Sequence, residues 1–317
     1  MSAQLEENFL RVLRDHTAGD PMRKELKWTN LTLKEISQRL RECGTPAGKR
    51  VFKQLLKKHG FIKRKARKSQ TMGTHPDRNA QFENIAEVVR QYLEAGDPVL
   101  SVDTKKKEQL GNFYRDGKLY TQETIRTFDH DFGSAGDGVV IPHGIYDMAH
   151  NRGHINLGTS HDTSEFACDS VAHWWQQHGQ TAYPQSRRML LLCDGGGSNS
   201  SNRYVFKEAL QKLADRTGLE IRVAHYPPYC SKYNPIEHRM FPHVTRACQG
   251  VVFHTIEIVK ELMEKAKTSK GLQVTVEIIN KVYETGRKCA EGFKENMRIV
   301  FDTVLPKWNY RAIPAET

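Results

Sequence analysis

At 317 residues the chain is long enough for one large domain or two ordinary ones, each with its own core. A hydrophobic fraction of 38% and a mean hydropathy of −0.64 describe a polar protein, and no run of 18 apolar residues offers a membrane span. The net charge of +11 and pI near 9.3 suit a polyanionic partner, since each Lys or Arg set against a phosphate releases a counterion.

The N-terminal MSAQLEENFLRVLRD is acidic and amphipathic, without the basic start and cleavage site of a signal peptide, so a cytoplasmic protein is expected. Leu31, Leu33, Ile36 and Leu40 then recur at helical spacing, and Thr32 with Glu35 reads as a capping box. Gly44-Thr45-Pro46 breaks that helix, and Val51, Phe52, Leu55 and Leu56 supply the next apolar stripe. Two short helices around a tight Gly-containing turn describe a helix-turn-helix.

Its second helix carries Lys49, Arg50, Lys53, Lys57 and Lys58, and Lys63, Arg64 and Lys65 continue the basic run as a wing or a backbone-hugging arm. From 49 to 68 there are ten Lys or Arg and no Asp or Glu, which makes residues 1–68 the expected DNA-binding segment. The competing reading is a solvated basic helix pair.

Residues 69–97 read as a linker, SQTMGTHPDR, followed by a connecting helix from about Asn79 to Ala95. From 98 to 317 the pattern is α/β. Val99 to Asp103 is a short strand ending in an acid. A charged insertion follows, and then Val139 to Met148 and His154 to Ser160 form a hairpin turning at Asn151-Arg152-Gly153. A helix starts near Thr163, Met189 to Asp194 is a strand buried on both faces, Arg203 to Thr217 is helical, Leu219 to His225 is a strand and Asn234 to Ala247 is helical. This order predicts a mixed sheet flanked by helices with right-handed crossovers.

Three acids fall where that order brings chain ends together: Asp103 after the first strand, Asp194 after the fourth, Glu237 in the first turn of the last helix. Clustered carboxylates repel one another unless cations neutralise them, and oxygen-only ligands suit Mg²⁺ or Mn²⁺. Two such ions clamp the attacking and leaving oxygens of an in-line phosphoryl displacement, with Asp194 expected to bridge them and Asp103 and Glu237 to flank it. Taken singly, each acid has a plainer reading as a cap or turn residue.

Gly195-Gly196-Gly197 lacks the ending of a P-loop, so no nucleotide cofactor is expected; glycine there lets a DNA backbone approach closely. Asn234 before Pro235 reads as a helix N-cap, the alternative being a group that helps position substrate or metal-bound water. Lys105, Lys232, His238 and Arg239 place positive charge beside the acids, as substrate grip or as solvated surface. The six cysteines are scattered and predict neither disulfides nor a zinc site.

VLSVDTKKKEQLGNF, LLLCDGGGSN, HYPPYCSKYNPIEHRMF, HPDRNAQF, HDTSEFACDSVAHWW, ADRTGLEI and the late WNY resemble the ISAzo-thirteen-like insertion-sequence transposases, bacterial DDE enzymes, from about Asp20 to Tyr310. The resemblance implies an RNase H-like catalytic domain with a C-terminal extension. It also implies the triad Asp103, Asp194 and Glu237, two divalent ions, and double-stranded transposon ends and target DNA as partners. Metal-dependent end cleavage, strand transfer and a dimer or larger assembly on DNA are then expected. Such transposases carry a further N-terminal helix-turn-helix, so this chain is expected to be N-terminally short. An inactive remnant that regulates by binding DNA is the alternative, and a nuclease without strand transfer would share the same site.

Overall fold

Phe9, Val12 and Leu13 recur at helical spacing and bury one face of α1 (Ala3–Arg14). In the computed structural model, which describes residues 3–20, 23–64, 73 and 75–316, the chain divides into units Met1–Gln70 and Thr71–Thr317. The first unit continues with an antiparallel hairpin, β1 (Thr17–Asp20) and β2 (Arg23–Thr29), which the apolar pattern did not announce. Helix α2 (Leu33–Glu42) starts on the expected capping box: the Thr32 N–H donates to Glu35 at 2.6 Å and the Glu35 N–H to the Thr32 hydroxyl at 3.3 Å. After the turn at Gly44 (φ +72°) comes α3 (Lys49–Lys58). Ile36, Leu40, Phe52 and Leu55 close the core on Phe9. Lys65, Lys68 and part of the linker 69–78 lie outside the described residues.

The second unit opens with α4 (Arg78–Glu94), whose Ile85, Val88 and Tyr92 pack on Val99, Leu190 and Leu192. Strands β3 (Val99–Thr104), β4 (Glu108–Leu110), β5 (Gly138–Asp147) and β6 (Arg152–Gly158) follow. Next comes α5 (Ser164–Trp174), prolonged through a π-turn at Trp175–Gly179 into α6 (Gln180–Ala182). Then β7 (Arg188–Cys193), α7 (Tyr204–Thr217), β8 (Glu220–His225), α8 (Pro235–Arg239), α9 (Phe241–Ala247) and α10 (Ile256–Glu264) run in order. Strand β9 (Gln273–Ile279), α11 (Phe293–Asn296), β10 (Ile299–Phe301) and β11 (Asn309–Ala312) complete the unit.

Among the described residues these strands make one nine-stranded sheet, ordered β10-β11-β8-β7-β3-β5-β6-β9, with β4 beside β5. Strand β3 is antiparallel to β5 and β5 to β6, whereas β3, β7 and β8 are mutually parallel. A three-stranded meander whose first strand sits centrally, extended by two parallel strands through helical crossovers, is the expected RNase H-like arrangement. Helices α5 and α7 cover one face, and α4 with α8 to α10 the other.

Two details depart from expectation. The β5–β6 turn begins before Asn151, which takes a left-handed φ of 53°. The helix expected over 234–247 breaks at Met240 because Pro242 has no N–H to continue it.

Candidate active site

Side chains alternate across a strand, so Ser101 and Asp103 share one face of β3, and Leu190, Leu192 and Asp194 share one face along β7. The parallel register pairs Val99 with Leu190 and Ser101 with Leu192. Two residues further along each strand, past the last paired positions of β3 and β7, stand Asp103 and Asp194. The same face carries α8, and with it Glu237. Opposite Asp103 on β5 is Gly144, where a β-carbon would meet Phe241 at 2.6 Å and Ile236 and Met240 at 2.9 Å. That glycine is what lets α8 and α9 lie close to the sheet beside Asp103.

Two buried polar clusters hold the acids in place. Asn234 precedes α8, but its side chain does not cap the helix as expected. Its amide donates to the Val102 carbonyl at 3.1 Å, and its oxygen accepts the Ser101 hydroxyl at 2.5 Å. The capping role falls instead to Ser101, whose hydroxyl oxygen accepts the Ile236 N–H at 2.8 Å. Ser101 thereby ties the Glu237 helix to the Asp103 strand, and both Ser101 and Asn234 are fully buried.

Behind Asp194, one His225 ring nitrogen lies 2.9 Å from the Asp194 carbonyl and the other 2.8 Å from the Tyr310 hydroxyl. Gln81 donates to the His225 carbonyl at 2.9 Å and exchanges hydrogen bonds with Asn309. Asn309 and Tyr310 of the late WNY segment thus brace the strand end that bears Asp194. Burial keeps His225 neutral, lowering it to about 4.

The acids also bear on one another electrostatically. Burial, then the charges of Asp194 and Glu237, push the Asp103 carboxyl up to about 8 against a pull from the Thr104 N–H; Glu237 also shares a hydrogen bond with it. Burial likewise raises Asp194; the Gly196 N–H pulls back, and Glu237 and Asp162 push further up. Among the described residues none of the three acids has a Lys, Arg or His ion-pair partner.

A set of oxygen donors with uncompensated negative charge fits a hard divalent cation. Among the described residues no three ligand side chains already surround one point. Mg²⁺ does not need such a cage, because it retains several waters and takes one or two carboxylates plus substrate oxygens.

The cations expected around the acids divide. Lys232, His238 and Arg239 are exposed on and before α8. Lys105, partly buried, pairs with Glu108, which Arg115 also contacts, so its charge is met within the fold rather than left as solvated surface. Lys49, Arg50, Lys53, Lys57, Lys58, Lys63 and Arg64 are exposed in the first unit. Of the glycine run only Gly197 (φ +58°) takes a left-handed conformation.

Three residues near the acids were missed: Ser101, His225 and Asp162. Ser101 had a signal, a polar residue on the inward alternation of an apolar strand. His225 and Asp162 had none beyond their places at a strand end and before a helix.

A family model described as Rhodopirellula transposase DDE domain matches residues 8–314. No curated protein matches. Among solved structures the chain is similar to the Mos1 transposase paired-end complex with left transposon end, at 13% identity and TM-score 0.47 over 84% of this chain and 72% of that one. It is similar at 14% identity and TM-score 0.47 to the mariner Mos1 paired end complex with Mg, over 82% of this chain and 70% of that one. The Mos1 strand transfer complex gives 12% and 0.46 over 84% and 72%.

Proposed function

The chain belongs to the Rhodopirellula transposase DDE domain family, and from that premise we propose that it cleaves insertion-sequence ends and joins them to target DNA. The observation that carries the reading is the convergence of Asp103, Asp194 and Glu237, where burial and neighbouring carboxylates raise Asp103 and Asp194 and no ion-pair partner stands among the described residues. A pair of Mg²⁺ or Mn²⁺ ions bound there supplies activation of the attacking water or 3′-hydroxyl and charge relief at the leaving oxygen. Asp194, Asp103 and Glu237 are the residues that hold them.

The protein's own contribution is placement. Ser101 and Asn234 fix Glu237 relative to Asp103, and the His225–Tyr310 pair fixes the Asp194 strand end. Lys232, His238 and Arg239 hold the scissile phosphate. The exposed cations of α3 and of Lys63–Arg64 grip double-stranded DNA by its phosphates. Joining two ends calls for a dimer or larger assembly on DNA, working in the bacterial cytoplasm.

The test is a supercoiled plasmid carrying the element's ends, incubated with the full chain and Mg²⁺ or Mn²⁺. Nicked or excised ends and joined donor–target products are expected, and both disappear in Asp194→Asn. Tight, salt-sensitive binding without cleavage would replace this reading with that of a DNA-binding regulator, and cleavage without joined products with that of a nuclease.

A further inference from the structure

Lys207, near the start of α7, is only 5% exposed, and among the described residues no carboxylate lies within ion-pair distance of its ammonium. The adjacent Glu208 turns to Lys212 and Arg287 instead. Burial accordingly lowers the proton affinity of Lys207, and the positive end of the α7 dipole adds to the cost of a charge there. An apolar side chain of the same length would fit at less cost. Packing alone does not explain a lysine.

What the ammonium touches is the loop that follows Asp194. It donates to the carbonyl of Ser201, at the far end of residues 195–201. It also stands 4.7 Å from the ring centre of Tyr310, with the rings of Tyr204 and Phe301 at 5.5 and 5.9 Å closing an aromatic box. The hydroxyl of the same Tyr310 lies 2.8 Å from His225, whose other ring nitrogen lies 2.9 Å from the Asp194 carbonyl at the near end of the loop. Both ends of the loop are therefore tied to one fully buried tyrosine, one through its hydroxyl and the other through its ring. Between them the Gly196 N–H donates to the Asp194 carboxylate at 3.4 Å, and Ser198 and Asn199 are buried.

We infer that Lys207 is a positioning residue for Asp194: its ammonium pins the far end of the 195–201 loop against Tyr310, and the pinned loop holds the Asp194 carboxylate in place as a ligand. The inference rests on the reading of Asp103, Asp194 and Glu237 as metal ligands. Lys207 acts through the loop and takes no part in the chemistry itself.

The experiment compares the full chain as wild type, Lys207→Met and Asp194→Asn. Melting temperature and amide hydrogen exchange over residues 195–203 are measured in EDTA. Mn²⁺ uptake without DNA is followed by the loss of free-ion electron paramagnetic resonance signal. Lys207→Met should melt no lower than wild type, because it removes an unpaired buried charge. Its 195–203 amides should exchange faster while those of the sheet and α7 keep their wild-type rates. Its Mn²⁺ affinity should fall by about 10–100-fold, the range seen when groups supporting a metal site are removed.

Uptake lost in Asp194→Asn but unchanged in Lys207→Met overturns the role of Lys207 and leaves the triad standing. Weakened uptake with unchanged loop exchange also overturns it, since the effect would not travel through the loop. So does a lowered melting temperature with faster exchange throughout the unit, which marks a lysine that only supports the fold. A wild-type protein that takes up no Mn²⁺ refutes the triad and the role of Lys207 together. If Lys207→Met does not fold, Lys207→Gln decides: it keeps a polar donor without the charge, so loop exchange should quicken and uptake weaken, and titrations identical to wild type overturn the inference.

Discussion

Charge is used in opposite ways in the two units. On α3 the cations Arg50, Lys53 and Lys57 share one exposed face at helical spacing, over a stripe in which Phe52 and Leu55 are completely buried. Around β3, β7 and α8 the acids are half-buried, of one sign and without ion-pair partners among the described residues. An exposed cation faces water, is screened by salt and contributes independently of its neighbours. Enclosed like charges raise one another's proton affinity and act as a unit. The first arrangement suits a polyanion, whereas the second suits a cation.

The largest effect that would break this contrast comes from the acid side. Asp194→Asn should reduce cleavage by more than about a hundredfold, since removing mere supporting groups already costs metal sites 10–100-fold. DNA binding by the first unit should be retained. Parallel cleavage assays and salt-dependent binding curves check both halves, and a variant losing binding along with cleavage would show that the two charge systems are not separable.

The same enclosure has a pH signature. In metal-free folded protein the Asp103 carboxyl holds its proton up to about pH 8, against an ordinary value of 3.8, and Asp194 is shifted the same way. The folded state therefore binds the extra proton, and stability declines as pH rises from about 4 to about 8. Asp103→Asn should flatten that decline, and divalent metal should reverse it in the wild type. Melting temperatures in EDTA across this window are the measurement; wild type and variant running parallel would count against the coupled site.

A smaller effect is expected from Gly144→Ala, which touches no acid directly. The added methyl would meet Phe241, Ile236 and Met240 below 3 Å. Such overpacking costs about 1–3 kcal/mol. The available relief is for α8 and α9 to lift from β5, carrying Glu237 with them. A lowered melting temperature should come with a cleavage rate reduced well below the melting range; a rate that is unaffected there would separate Gly144 from the site.

These contrasts also explain what the sequence disclosed. The placement of Asp103 and Asp194 at strand ends was legible because each closes an apolar run, and α2 because Thr32 and Glu35 form a local capping box. Asn234 was misread because Asn before Pro fits a cap, whereas its actual partner, Ser101, is far away in sequence and adjacent only after β3 and α8 have packed. Asp162 could not be told from a helix-start acid for the same reason. Strand β9 did carry the alternation, with Val274 and Val276 buried between more exposed Gln273, Thr275 and Glu277. Its place beside β6 is a pairing between distant segments, which alternation does not encode. Strands β10 and β11 are too short to show a period, and the β1–β2 hairpin has no apolar alternation to announce it.

The smallest expected effect is the sharpest test of the basic unit. Lys53→Ala removes one exposed cation from α3 and leaves the buried stripe of Phe52 and Leu55 intact. If Lys53 meets a phosphate, affinity should fall about equally on every DNA sequence, and the slope of log affinity against log salt should lose about one unit. Lys58 makes a useful comparison, because its ammonium already lies 2.6 Å from Glu6. Lys58→Ala should therefore change the slope by less, since part of its charge is met within the fold. Equal slopes for wild type and Lys53→Ala would remove α3 from the DNA contact. A loss confined to one DNA sequence would instead mean that Lys53 reads a base edge, and that the exposed charges do more than grip the backbone.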